Sequence, residues 1–248
     1  MRLRRIDVVL FDLDDTLHDD TAAYRRAATR VAEEVSAERG LDSRALNAAY
    51  VEAAEGFWSN LSNDDLTVKM VDVRKRLWAR ALARLGVVDD TLAARCARDY
   101  NAYRRGYFAL FPGVRDFLLN LRRQGKRIGL VTNGFAETHH DKITELNLRD
   151  VLDAIFIADE IGMVKPDPRL FAHACETLGA PPERSAMVGD RYERDIRGAI
   201  EAGLFTIWVN VRDEELPPGA PPPDAVCRTI LEVEGVLEAA SLPAAHGS

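Results

Sequence analysis

The chain has 248 residues, of which 47% are apolar and 29% charged, with a formal net charge of −7. That length allows one or two domains with a substantial core, and the composition is ordinary for a soluble globular protein. The acidic balance gives no support for nucleic-acid or membrane binding, and no apolar run is long enough to span a bilayer. Three scattered cysteines, Cys96, Cys175 and Cys227, argue against a disulfide scaffold or a zinc site and fit a reducing cytoplasm.

The first element is Val8-Val9-Leu10-Phe11, an apolar run that reads as a short buried strand. Asp12-Leu13-Asp14-Asp15-Thr16 follows at once. Asp is a poor strand residue, so these acids belong at the carboxyl end of the strand, where open α/β sheets place their ligands. Two carboxylates two residues apart can divide labour, one as nucleophile and the other handling a proton.

From about residue 20 to 107 the sequence is rich in Ala, Arg and Glu and has no proline. Residues 22–39, 43–58, 65–85 and 91–106 each predict an amphipathic helix, punctuated by Gly40, Ser62-Asn63 and Gly86. Phe111-Pro112-Gly113 marks a re-entry into alternating elements. Strands are expected at 127–132, 154–158, 186–189 and 205–209, and helices at 136–146, 168–178 and 193–202. A proline-rich loop at 217–223 leads to an apolar segment at 225–227, a helix at 229–240 and a frayed tail from 241. The fold class expected is α/β: a Rossmann-like parallel-sheet core, residues 1–19 and 108–248, with an inserted all-helical cap, residues 20–107. The insert leaves just after Asp14, which makes it a candidate lid.

Three later segments carry further chemistry. Thr132-Asn133-Gly134 ends a strand with a hydroxyl and turn donors suited to phosphate oxygens. Lys165-Pro166-Asp167-Pro168 fixes a lysine in a stiff turn, where it can neutralise carboxylate or phosphate charge. Gly189-Asp190-Arg191-Tyr192-Glu193-Arg194-Asp195 is a second strand ending in acid. Asp190 suits a metal, and Asp195, about one helical turn on, can orient it or the lysine. Carboxylate oxygens without nearby Cys or His select Mg²⁺. Each segment alone also reads as a cap, a turn or a solvated helix start. Adjacent His139 and His140 point to different helix faces and read as surface or packing residues.

Together, in this order, the segments resemble the haloacid dehalogenase superfamily of Mg²⁺-dependent phosphotransferases. The resemblance covers nearly the whole chain, and the insert looks like a C1-type cap. Residues 134–142 also look like the corresponding stretch of phosphatases acting on nucleotides and sugar phosphates. The resemblance implies Asp12 as nucleophile, forming an aspartyl-phosphate, and Asp14 as general acid and then base. It implies Mg²⁺ on the Asp12 carboxylate, the Asp14 main-chain carbonyl and Asp190, with Asp195 in support. Thr132, Asn133, Gly134 and Lys165 would bind the phosphoryl group. The partner expected is a small phosphorylated metabolite, with no nucleic-acid polymer and no membrane, in a cytoplasmic enzyme. A sugar-phosphate mutase would share every core motif. A 2-haloacid dehalogenase would not need Asp14, and a silent binding protein would not need the full acid set.

Overall fold

The computed structural model describes residues 5–61 and 64–241. The punctuation expected at Ser62-Asn63 and the tail from residue 242 lie outside the described residues. In chain order the elements are β1 (Val8–Phe11), α1 (Asp20–Arg39), α2 (Ser43–Ser59), α3 (Met70–Arg84), α4 (Asp90–Arg105) and α5 (Val114–Arg123). There follow β2 (Arg127–Thr132), α6 (Ala136–Glu145), β3 (Ala154–Ile157), α7 (Ala158–Ile161), α8 (Pro168–Thr177) and β4 (Ser185–Gly189). The last are α9 (Arg197–Glu201), β5 (Phe205–Val209), β6 (Ala225–Cys227) and α10 (Val233–Ser241).

The chain divides into two compact units. One comprises Met1–His18, Leu110–Asn133 and Asn147–Ser248; the other comprises Asp19–Ala109 and Gly134–Leu146.

The first unit is a six-stranded sheet in the order β3-β2-β1-β4-β5-β6, parallel at every pairing. All four residues of β1 are buried, as a strand covered on both faces requires. Leu10, Val131 and Met187 pack against Leu170, Phe171 and Ala174 of α8. Phe11 meets Phe117 of α5 edge-on. Strand order reverses at β1, which has β2 on one side and β4 on the other. Their carboxyl ends therefore form the crevice where doubly wound sheets hold ligands.

In the second unit α1 and α3 each pack on both α2 and α4. Aspartates begin three of these helices. Asp19 accepts from Ala22 N–H, Asp42 from Arg44 and Ala45 N–H, and Asp89 from Leu92 N–H. The core is aromatic at its centre, where Tyr50 stacks on Trp78 with ring centroids 3.9 Å apart. Asp20 of α1 accepts ion pairs from Arg104 at 2.6 Å and from buried Lys142 of α6 at 2.9 Å.

Four features depart from the sequence expectation. The segment 134–146, read as part of the alternating core, groups with the inserted helices. The helix expected from residue 65 begins at Met70, because the β-branched pair Thr67-Val68 gives way to an extended Lys69 (φ −67°, ψ 136°). Helix α5 was not foreseen, although its buried Val114, Phe117, Leu118 and Leu121 follow the i, i+3, i+4, i+7 rule. The helix expected from residue 193 opens as a wide turn, Tyr192–Ile196, in which Arg197 N–H bonds the Tyr192 carbonyl five residues back.

Candidate active site

The carboxyl end of β1 turns sharply. Asp12 N–H still bonds the Val188 carbonyl of β4 at 2.9 Å, which carries Asp12 to the tip of the sheet. Asp15 then adopts a left-handed backbone (φ 62°), and its N–H bonds the His18 carbonyl at 2.7 Å. Asp and Asn tolerate that conformation better than other side chains, so the third acid of the run has a conformational reason to be there.

Asp12, Asp190 and Asp195 come together, all buried, each with a carboxylate oxygen within 4.8 Å of the others. Asp190 ends at the tip of β4 and Asp195 comes round on the wide turn. Gly189 makes the approach possible, since a Cβ there would lie 2.5 Å from the Asp195 carboxyl carbon.

Lys165 balances part of this charge. Its Nζ lies 2.5 Å from Asp12 Oδ1, 2.7 Å from Asp195 Oδ1 and 2.9 Å from the Val131 carbonyl. Burial alone would lower the lysine pKa, but the charges of Asp12 and Asp195 outweigh it and hold it above the ordinary value. Asp195 Oδ2 accepts the Arg191 N–H at 2.9 Å, so both its oxygens are engaged, and its place is beside the lysine. Asn133 is also committed to Lys165. Its amide donates to the Lys165 carbonyl at 2.9 Å and accepts from the Lys165 N–H at 2.7 Å.

The remaining charge is negative. Burial lifts Asp12 well above the ordinary carboxylate range, Lys165 pulls it down, and the charges of Asp195, Asp190 and Asp14 lift it again. Asp190 is pushed up to about 6, by burial first and then by Asp195, against the pull of Arg212 and Arg191. Three clustered buried carboxylates, two of them on Lys165 and the third facing Arg212, form a donor set of hard oxygens, which fits Mg²⁺.

Thr132 is buried at the carboxyl end of β2, beside β1. Asp14 is half-buried in the turn after β1, and its carboxylate is outside the three-acid cluster. Gly134, at φ 137°, opens the 134–146 segment of the second unit, and a side chain there would run into the His139 ring. His139 itself is buried, its Nδ1 3.0 Å from the Phe135 carbonyl, in keeping with a packing role.

Sequence reasoning missed Arg212. Its guanidinium lies 2.5 Å from Asp190 Oδ2 and 2.8 Å from Glu214 Oε1. No signal could have found it, because Val211-Arg212-Asp213-Glu214 has the look of a solvated turn. It also missed Trp208, whose Nε1 donates to the Asp190 carbonyl at 2.9 Å. Arg74 is set apart by nothing in the sequence from the other cations of the inserted helices. It is buried in the second unit, bonded to Asn101 and Thr138, with its guanidinium over the Tyr100 ring.

Residues 6–203 match the model of the haloacid dehalogenase-like hydrolases. The chain belongs to this family. Among haloacid dehalogenase-like relatives, the glyceraldehyde 3-phosphate phosphatase of Methanopyrus kandleri is 32% identical over 208 residues, 82% of this chain and 84% of that protein. The N-acylneuraminate-9-phosphatase of Mus musculus is 31% identical over 253 residues, 96% of each chain. The fold is shared with the solved HAD-hydrolase YfnB of Bacillus subtilis, with a TM-score of 0.75 at 24% identity over 94% of this chain and 99% of that one. The sequence-based expectation of a hydrolase of this superfamily, with an α/β Rossmann-like core and inserted helices, therefore holds.

Proposed function

We propose that this hydrolase splits small phosphomonoesters in a Mg²⁺-dependent reaction through an aspartyl-phosphate on Asp12. Hydrolysis of phosphoric monoesters agrees with its phosphatase relatives. The observation that carries the mechanism is the meeting of the Asp12 and Asp190 carboxylates, at the carboxyl ends of β1 and β4, with the Lys165 amine on Asp12.

An oxygen of the Asp12 carboxylate attacks phosphorus, and the bond from phosphorus to the ester oxygen breaks. Asp14 gives its proton to that departing oxygen. In the second half Asp14 takes a proton from water, the water oxygen attacks phosphorus, and the bond to Asp12 breaks to release phosphate. Lys165 offsets part of the burial that raises the Asp12 carboxyl and adds positive charge for the phosphoryl oxygens. Thr132 and the turn at Asn133 and Gly134 complete the phosphoryl cradle. Asn133 acts through Lys165, whose main chain it holds. Asp12, the Asp14 main-chain carbonyl and Asp190 would hold Mg²⁺, which supplies charge neutralisation to the transferring group.

The helical unit, inserted in the chain between the first and second motifs, is assigned the part of a C1-type cap that sorts substrates. The substrate class is a small phosphorylated metabolite. The deciding experiment is phosphate release from a panel of monoesters by purified protein, before and after chelation and with Mg²⁺ restored. Turnover that survives chelation overturns the metal-dependent reading. Consumption of a sugar phosphate without net phosphate release would indicate transfer to a sugar instead of to water.

A further inference from the structure

We propose that Arg212 is a tethered counter-ion that competes with the metal for Asp190 and so sets metal affinity. The inference rests on the reading of Asp190 as a Mg²⁺ ligand. Lys165 reaches two of the three clustered carboxylates, Asp12 and Asp195. Asp190 has a cation of its own. An Arg212 terminal nitrogen lies 2.5 Å from its Oδ2, and Arg191 Nε lies 3.5 Å from the same oxygen. A guanidinium held there draws charge from the carboxylate and repels an incoming cation.

The surroundings of Arg212 suit an arm that moves. Arg212 lies in the loop after β5, outside the regular elements, and its side chain is 32% exposed, whereas that of Asp190 is 1% exposed. Its Nε is already held by Glu214 at 2.8 Å, on a side chain that is 41% exposed. Glu214 therefore offers a second anchor on which the guanidinium can rest when it leaves Asp190. Asn210 fixes that anchor, because its amide donates to the Glu214 carbonyl and accepts from the Glu214 N–H, both at 2.9 Å. Arg191, half-exposed and farther away, is poorly placed to take over.

The test is calorimetric titration of MgCl₂ into chelated and dialysed full-length protein, with thermal melting alongside. R212M should bind Mg²⁺ roughly two- to fivefold more tightly than wild type, the range expected for loss of a partly exposed ion pair. R212K, which keeps a charge, should lie between them. E214Q removes the resting anchor and should weaken Mg²⁺ binding. Chelated R212M should melt below chelated wild type, and saturating Mg²⁺ should close the gap. R212M binding equal to or weaker than wild type would overturn the competition. Wild-type protein that takes up no Mg²⁺ would overturn the metal reading itself, an outcome separate from the first.

Discussion

The Asn133 side chain closes on both main-chain groups of Lys165, donating to its carbonyl at 2.9 Å and accepting from its N–H at 2.7 Å. The end of β2 thereby holds the loop that carries the lysine to Asp12. Asn133→Ala should lose two hydrogen bonds of about 0.5–1.5 kcal/mol each and melt a few degrees lower. Activity should fall further than stability explains, because Lys165 loses its main-chain support. Melting and kcat on the same preparation check this; a variant that melts lower at unchanged kcat removes the positioning role.

Gly189 is the other point at which backbone geometry sets the site. A Cβ there meets Asp195 Cβ, Cγ and Oδ2 at 2.5 Å, and the acid can only retreat. Asp195 would then give up Lys165, the Arg191 N–H, or both. Gly189→Ala should cost about 1–3 kcal/mol by overpacking and should also lower kcat. Chemical denaturation with parallel phosphate-release assays would show it, and wild-type stability in this variant would mean that the wide turn yields freely.

Much of this site was legible in the sequence because its parts sit where the pattern changes. Asp12 and Asp190 each end an apolar run, so strand and acid together announced the carboxyl edge of a sheet. The stiff prolines around Lys165 marked a fixed turn. What stayed hidden depends on contacts between residues distant in the chain. Arg212 reaches Asp190 from 22 residues away, and nothing local distinguishes it from a solvated arginine. Asn133 carried a turn signal and a resemblance to a phosphate-binding segment, but its attachment to Lys165, 32 residues on, is a tertiary fact. Segment 134–146 kept the βα rhythm of the core while its buried Lys142 was paired with Asp20 of the inserted helices, and periodicity is blind to that choice.

The cysteines offer a pH test away from the site. Cys96 and Cys227 are buried, and burial pushes each thiol up to about 11. A raised folded pKa means that the native state holds the proton more tightly than the unfolded chain. This contribution to stability is complete below the unfolded value of about 8.5 and is lost as pH rises toward 11. Native protein should label slowly with a thiol reagent at pH 8, whereas denatured protein should label at all three cysteines. Rapid labelling of the native protein would show that these thiols are accessible.

The two acids of the first motif should fail differently. Asp12 carries the nucleophilic oxygen, so Asp12→Asn removes the anion that attacks phosphorus and should abolish the covalent intermediate. It also removes one partner of the Lys165 pair and one of three crowded carboxylates, so stability should change much less than activity. Asp14 lies outside the three-acid cluster and is assigned the proton. Asp14→Asn should keep substrate binding and lose about 10²–10⁴ in rate. The loss should be smaller on a substrate such as acetyl phosphate, whose leaving group needs no proton, than on an alkyl phosphate. Rapid acid quench and mass spectrometry of the protein would detect the phosphorylated aspartate in wild type and its absence in Asp12→Asn. A phosphorylated Asp12→Asn protein, or equal losses for Asp14→Asn on both substrates, would exchange or remove the roles given to these residues.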